Sequence, residues 1–350
     1  MRIELSLTTK NLGPLEKDLS FLGATFSSRK EFLDENILSD EYKKAIGLVG
    51  VNVYNKSPFF YLHGDYQTSE ASLSEALKSS INIHIEIYFG VFRQLMSFLW
   101  LQKDNCSTIG TTYVYLPEIK TVFEHTSGSN YSMSNGEKDV THSFTNAEIE
   151  SAFIQYAKIS KHLYHGNIKV AKPDEPKVDL FMDRKYTPYD LQKENRLERA
   201  LNFLDFARST SIIPQKIAFY MCIYESLFFG TDSTEITHQI AERVALYAVN
   251  VRTMRHEIYR LIKDAYKIRS TYFHGNSFGK YKLEKLIDIS TRIDGLTRNI
   301  LNRILREDID KFVQPSEKLD LSFRDLLFED ERHPDGITTD EDINHLRFNE

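Results

Sequence analysis

Cysteine is scarce: Cys106 and Cys222 are the only two among 350 residues, far apart and in no ligand-spaced motif. That excludes a disulfide framework and a cysteine-based zinc site, and it suits a reducing compartment. Long apolar runs are missing as well. The longest, Ile81 to Leu101, is interrupted by Glu86 and Arg93, so no transmembrane helix is expected. The opening Met-Arg-Ile-Glu-Leu-Ser-Leu has neither the basic region nor the apolar core of a secretory leader. A cytoplasmic protein with no membrane partner is the expectation.

What remains is a globular composition, 41% apolar and 27% charged, with 23 Phe and 19 Tyr to fill large cores. The length fits two domains better than one. The net charge of −6 is unevenly spread. From Val313 to Glu350 there are 4 basic and 11 acidic residues, whereas His238 to Phe312 holds 15 basic and 9 acidic. An acidic tail therefore hides a locally basic stretch that can attract a polyanion, although mixed charges on a solvated helix would give the same count.

The first 170 residues read as a strand-rich domain. Ile46 to Tyr54 is a β-branched and aromatic run, and Thr111 to Leu116 a second strand stopped by Pro117. Ile81, Ile83, Ile85, Ile87 and Phe89 alternate with polar residues, which predicts a half-buried strand. His84 and Glu86 would share its outer face, two metal-capable groups without a third. His125 to Asp139, rich in Ser, Gly and Asn, predicts an exposed loop, and Asn146 a helix cap leading to about Leu163. Residues 171–185, with Pro173 and Pro176, form the expected linker.

Residues 186–312 read as helices throughout, so the fold class is α+β. Thr187-Pro-Tyr-Asp opens one helix, Pro214 another that is apolar nearly all round and ends at Gly230. Glu225 is the exception on that second helix, and a buried carboxylate needs a cation; Arg243 and Arg269 are the candidates. Further helices are expected through Ala248, over Arg252 to Phe273, and from about Lys280 to Leu305, completing a compact bundle. Residues 313–350 form the acidic tail.

One stretch carries chemistry: Asp264-Ala-Tyr-Lys-Ile-Arg-Ser-Thr-Tyr-Phe-His-Gly-Asn276, a helix end with Arg269 and His274 five residues apart. A guanidinium can hold phosphate oxygens and an imidazole can move protons. On an ideal helix the two lie about 140° apart, so bringing them to one cleft needs release at Gly275 or a second protomer. The plainer role for His274 is to close the helix.

Arg269-Ser-Thr-Tyr-Phe-His274 resembles the Arg-x(4–6)-His motif of HEPN ribonucleases. Three segments together are similar to the Apea-like HEPN branch: Tyr224-Glu-Ser-Leu-Phe-Phe229, the run from Thr234 to Ala245, and Ala265 to Gly275. The likeness covers about Tyr186 to Arg306. It implies metal-independent RNA cleavage at a composite site in a homodimer, without cofactor, with Arg269 and His274 catalytic. It also implies supporting roles for Glu225 and Arg243. The residue after the arginine, Asn, Asp or His in many members, is Ser270 here. Tyr272 could stack on a base, and Lys263, Lys267 and Lys280 could contact the backbone. Families of this kind are often toxins or antiviral effectors, so the strand-rich half is expected to sense a phage trigger or bind a regulatory protein. A non-catalytic HEPN module that binds RNA or protein is the alternative. Glu329-Asp-Glu331 and Asp340-Glu-Asp342 could cover the basic stretch, or simply solubilise the chain.

Overall fold

The structure, a computed structural model, describes residues 2–65, 75–126, 130–163, 195–230, 235–279, 281–314 and 316–328. The linker, the Thr187-Pro start, Lys280 and the acidic clusters after Phe328 lie outside them. The chain forms two compact units.

The first unit is a six-stranded antiparallel sheet covered on both faces. Its strands are β1 (Arg2–Lys10), β2 (Leu19–Phe21), β3 (Ala24–Ser27), β4 (Phe59–Asp65), β5 (Thr108–Leu116) and β6 (Thr121–Thr126). They are ordered β2-β3-β4-β1-β5-β6, and β1 pairs Leu5 with Leu62 on one side and Val114 on the other. Side chains alternate across the pleat, so neighbouring aromatics serve opposite layers. Phe59 and Tyr61 pack with Leu33 of α1 (Lys30–Asn36) and with Tyr42 and Tyr54 of α2 (Asp40–Tyr54). Phe60 turns the other way, 4.0 Å from Phe26 and 4.6 Å from Phe92. Phe92 belongs to α3 (Glu75–Ser97), and Phe153, on α4 (Asn146–Ser160), closes the same layer.

Two expected strands are helices. Ile46 to Tyr54 lies in α2, where Ser39 accepts the Tyr42 N–H as a cap and the helix is interrupted at Gly47, whose φ of 67° suits a residue without Cβ. The alternating isoleucines lie in α3. Its buried members Ile81, Ile85, Phe89, Phe92 and Met96 recur every three or four residues, so a helical stripe was concealed within an alternating pattern. Positions 84 and 86 are therefore two apart on a helix and not on a strand, and the His84 side chain lies outside the described residues. The helix cap near residue 146 is Thr145, which forms a reciprocal box with Glu148.

The second unit contains α5 (Arg196–Ser209), α6 (Ile213–Phe228), α7 (Ile236–Ala248), α8 (Arg252–Phe273) and α9 (Leu283–Arg303). A π turn over Ile304–Asp308 leads to α10 (Ile309–Phe312) and α11 (Ser316–Phe328). The helix α6 runs through the middle, with Ile217, Met221, Tyr224 and Phe228 fully enclosed. The start of the acidic tail is thus a packed helix: Leu319 and Phe323 of α11 are buried, Phe323 beside Phe228 and Tyr247.

This unit also takes in residues 131–138. Part of the expected exposed loop is here buried structure, with Tyr131, Ser132 and Ser134 almost fully covered, while Glu137 to Asp139 are exposed. The reason is a set of buried cations that need partners. Lys216 of α6 has no exposed surface and donates its ammonium to the carbonyls of Ser132 and Ala207, at 3.2 and 2.6 Å. Arg208 of α5, 1% exposed, lies 4.0 Å over the Tyr131 ring. Ser290 of α9 donates to the Ser134 carbonyl at 2.6 Å.

Candidate active site

The helix α8 places the two motif residues. Its inner face, Ile258, Leu261, Ile262, Ala265 and Ile268, is buried against the bundle. Arg269 lies on the margin of that face and turns toward α6. Its guanidinium is 3.2 Å from the Glu225 carboxylate, both side chains about one quarter exposed. Glu225 therefore takes the cation that a carboxylate on an apolar helix requires, and of the two candidates it is Arg269. The rings of Tyr266 and Phe273, one turn before and after Arg269, lie 5.3 and 5.1 Å from the guanidinium carbon. The Arg269 Nε is buried with no hydrogen-bond partner among the described residues.

Two neighbours are tuned by this pair. Burial, reinforced by the Glu225 charge, pushes the Tyr266 phenol up to about 12. Burial likewise pushes the Cys222 thiol, one turn before Glu225 on α6, up to about 11, with Glu225 adding to the shift and Arg269 opposing it. Both groups are neutral at pH 7.

His274 closes α8. The N–H of Gly275 bonds to the Tyr272 carbonyl at 3.2 Å and that of Asn276 to the Thr271 carbonyl at 3.0 Å, with Gly275 left-handed at φ 68°. This is the Schellman arrangement, in which a glycine one residue past the cap satisfies the last carbonyls. The His274 backbone N–H still bonds to Ser270, so the helix is not released before the histidine and the separation of about 140° persists. The imidazole is exposed while Arg269 turns inward. No hydrogen bond or ion pair joins the two within one protomer, among the described residues.

The other expected site residues divide. Ser270 and Tyr272 are half-buried in the last turns of α8, and the Tyr272 ring stands edge-on to Phe273 at 5.7 Å. Lys263 is half-buried and Lys267 exposed, the latter in a surface pair with Asp264 at 2.9 Å. Arg243 is not beside Glu225. It donates to the Phe228 carbonyl at 3.0 Å and pairs with Asp320 of α11 at 2.6 Å, holding the bundle's last helix to the end of α6. Tyr266 is the neighbour that motif reading missed, although its place three residues before Arg269 is the signal for it. Among the described residues no three His, Cys, Asp or Glu side chains group to hold a metal, and no helix is long and apolar enough to cross a membrane.

No protein-family model, curated protein or solved structure matches the chain.

Proposed function

We propose that the helical unit is an endoribonuclease of HEPN type that cleaves RNA without a metal ion, by attack of the 2′-hydroxyl on the adjacent phosphate. The observation that carries this reading is the division of labour on α8. Arg269 is held between two rings and the Glu225 carboxylate with its side chain about one quarter exposed, and His274 stands exposed at the helix end.

RNA carries its own nucleophile, so the protein must neutralise the phosphate and move two protons. Arginine suits the first task and histidine the second. Because Arg269 and His274 diverge around the helix, the working site is composite. A two-fold axis passing near the end of α8 would set the arginine of one protomer beside the histidine of its partner and supply one imidazole for each proton transfer. Products would end in 2′,3′-cyclic phosphate, and DNA would be inert. In this reading the protein is a cytoplasmic toxin or antiviral effector, and its sheet unit receives a phage trigger or regulatory protein.

The test is incubation of the purified chain with labelled RNA in EDTA. Cleavage is expected, with a loss of about 100-fold or more in His274→Ala and stability within about 0.5 kcal/mol of wild type, since the ring is exposed. Intact RNA under every condition sinks the proposal. One observation favours a second reading, a non-catalytic module that binds RNA or protein: the Glu225 pair already neutralises Arg269. Binding without cleavage is its signature.

A further inference from the structure

The helix α8 carries a second pattern that reaches well beyond the reacting residues. At 100° per residue, Arg252, His256, Arg260, Lys263, Lys267, Ser270 and His274 fall within an arc of about 80°. No position in that arc is acidic or apolar. Arg252, His256, Arg260, Lys267 and His274 are exposed and Lys263 is half-buried. Glu257 and Asp264 lie along one flank of the stripe. Tyr259 lies along the other, its hydroxyl 2.9 Å from His238 Nδ1 and its ring 5.6 Å from the Lys263 ammonium.

Two features set this face apart from an ordinary solvated one. Within the stripe Lys267 follows Lys263 at four-residue spacing, a like-charge pair, and the opposite-sign residues Glu257 and Asp264 stand only on its flank, beside Arg260 and Lys267. The first turn of α8 also begins with Arg252 and holds no acidic residue, which opposes the helix dipole. By contrast α9 starts with Glu284 in its first turn and ends with Arg303 in its last. A helix that gives up local stability in its first turn has another use for the charge.

We infer that the outward face of α8 is a track for the phosphate backbone of single-stranded RNA, running along the helix for about 33 Å and ending at His274. Each cation neutralises a phosphate, and the Tyr259 and His238 rings beside the stripe offer a face for an unpaired base. The Lys267–Asp264 pair is exposed on both sides and exchanges readily for a phosphate contact. The inference rests on the RNA reading above and gives its substrate class: strands with an unpaired stretch, held partly by Arg252, His256 and Arg260 far from the reacting bond.

The experiment combines Arg252→Gln, His256→Gln and Arg260→Gln in the full chain. The probe is a fluorescent 2′-O-methyl oligouridylate of about 20 nucleotides, which cannot be cut by its own hydroxyl. Anisotropy is followed between about 50 and 200 mM salt. The salt slope is expected to shrink by about 1.4, at about 0.7 for each of the phosphate contacts of Arg252 and Arg260, with roughly tenfold or greater loss of affinity. A charge-matched variant of the sheet unit, Lys30→Gln and Lys44→Gln, should bind as wild type. Circular dichroism of all three proteins should coincide, because the altered side chains are exposed. An unchanged slope in the α8 variant overturns the track, as does a wild-type chain that ignores the oligonucleotide or binds duplex equally well. If wild type cuts RNA but the α8 variant binds normally, the track fails and the nuclease stands. If the variant loses binding but wild type never cuts, the nuclease fails and the track stands.

Discussion

Glu225 shows how far a single residue can be read. A carboxylate on a helix otherwise apolar requires a cation, and the structure supplies Arg269 at 3.2 Å. Glu225→Gln should cost about 1–3 kcal/mol by leaving the guanidinium short of a partner, measurable as a lower urea midpoint with unchanged slope. The same logic did not reveal where Arg243 goes, because its partner Asp320 belongs to a stretch whose composition suggested a solvated tail. A second test at this scale uses Cys222. Its thiol is raised in the fold, so the neutral form is favoured there. The stability it contributes is complete below about pH 9 and is lost as pH rises toward 11. Alkylation by iodoacetamide at pH 8 should therefore be slow in the native chain and fast in urea. Rapid native labelling of Cys222 would contradict the assignment.

Among the elements, α6 and α8 of the second unit were legible because each announces an end: Pro214 in the first turn of α6, and Gly275 just past α8. In the sheet unit α2 and α3 were not. Their isoleucines and valines satisfy a two-residue period and a helical one together, and the packing of Ile81, Ile85 and Phe89 decided between them. The helix α11 was missed for a different reason, since two buried side chains, Leu319 and Phe323, are a faint signal within an acidic run. That helix gives the next prediction. Phe323→Ala should cost about 3–5 kcal/mol, because the ring fills a pocket beside Phe228 and Tyr247. A substitution as small as Gly230→Ala should also loosen α11, because a methyl group there would press on the Asp320 carboxylate. Both effects would show as early proteolysis near residue 316, ahead of global unfolding.

At the scale of the whole molecule, the α+β class follows from the sequence: a sheet unit first, then helices. Whether the proposed site works depends on association. Within one chain Arg269 and His274 look in different directions, so activity should follow the dimer: dilution below the dissociation constant should reduce cleavage per chain more than proportionally. Mixing wild-type and His274→Ala chains should lower cleavage more steeply than the wild-type fraction, because a mixed dimer keeps only one of the two imidazoles, read as cleavage in EDTA. A loss in simple proportion to the wild-type fraction, with mixed dimers demonstrated, would mean that each protomer carries its own complete site. The buried Lys216 has one more consequence. Its ammonium rests on a carbonyl contributed from residues 131–138, a strap that comes earlier in the chain than every helix it fastens. The bundle is therefore no detachable cassette. A fragment begun after the linker would emerge with an ammonium stripped of its Ser132 carbonyl and a guanidinium missing its aromatic lid, and supplying that strap again by circular permutation should be what makes it soluble.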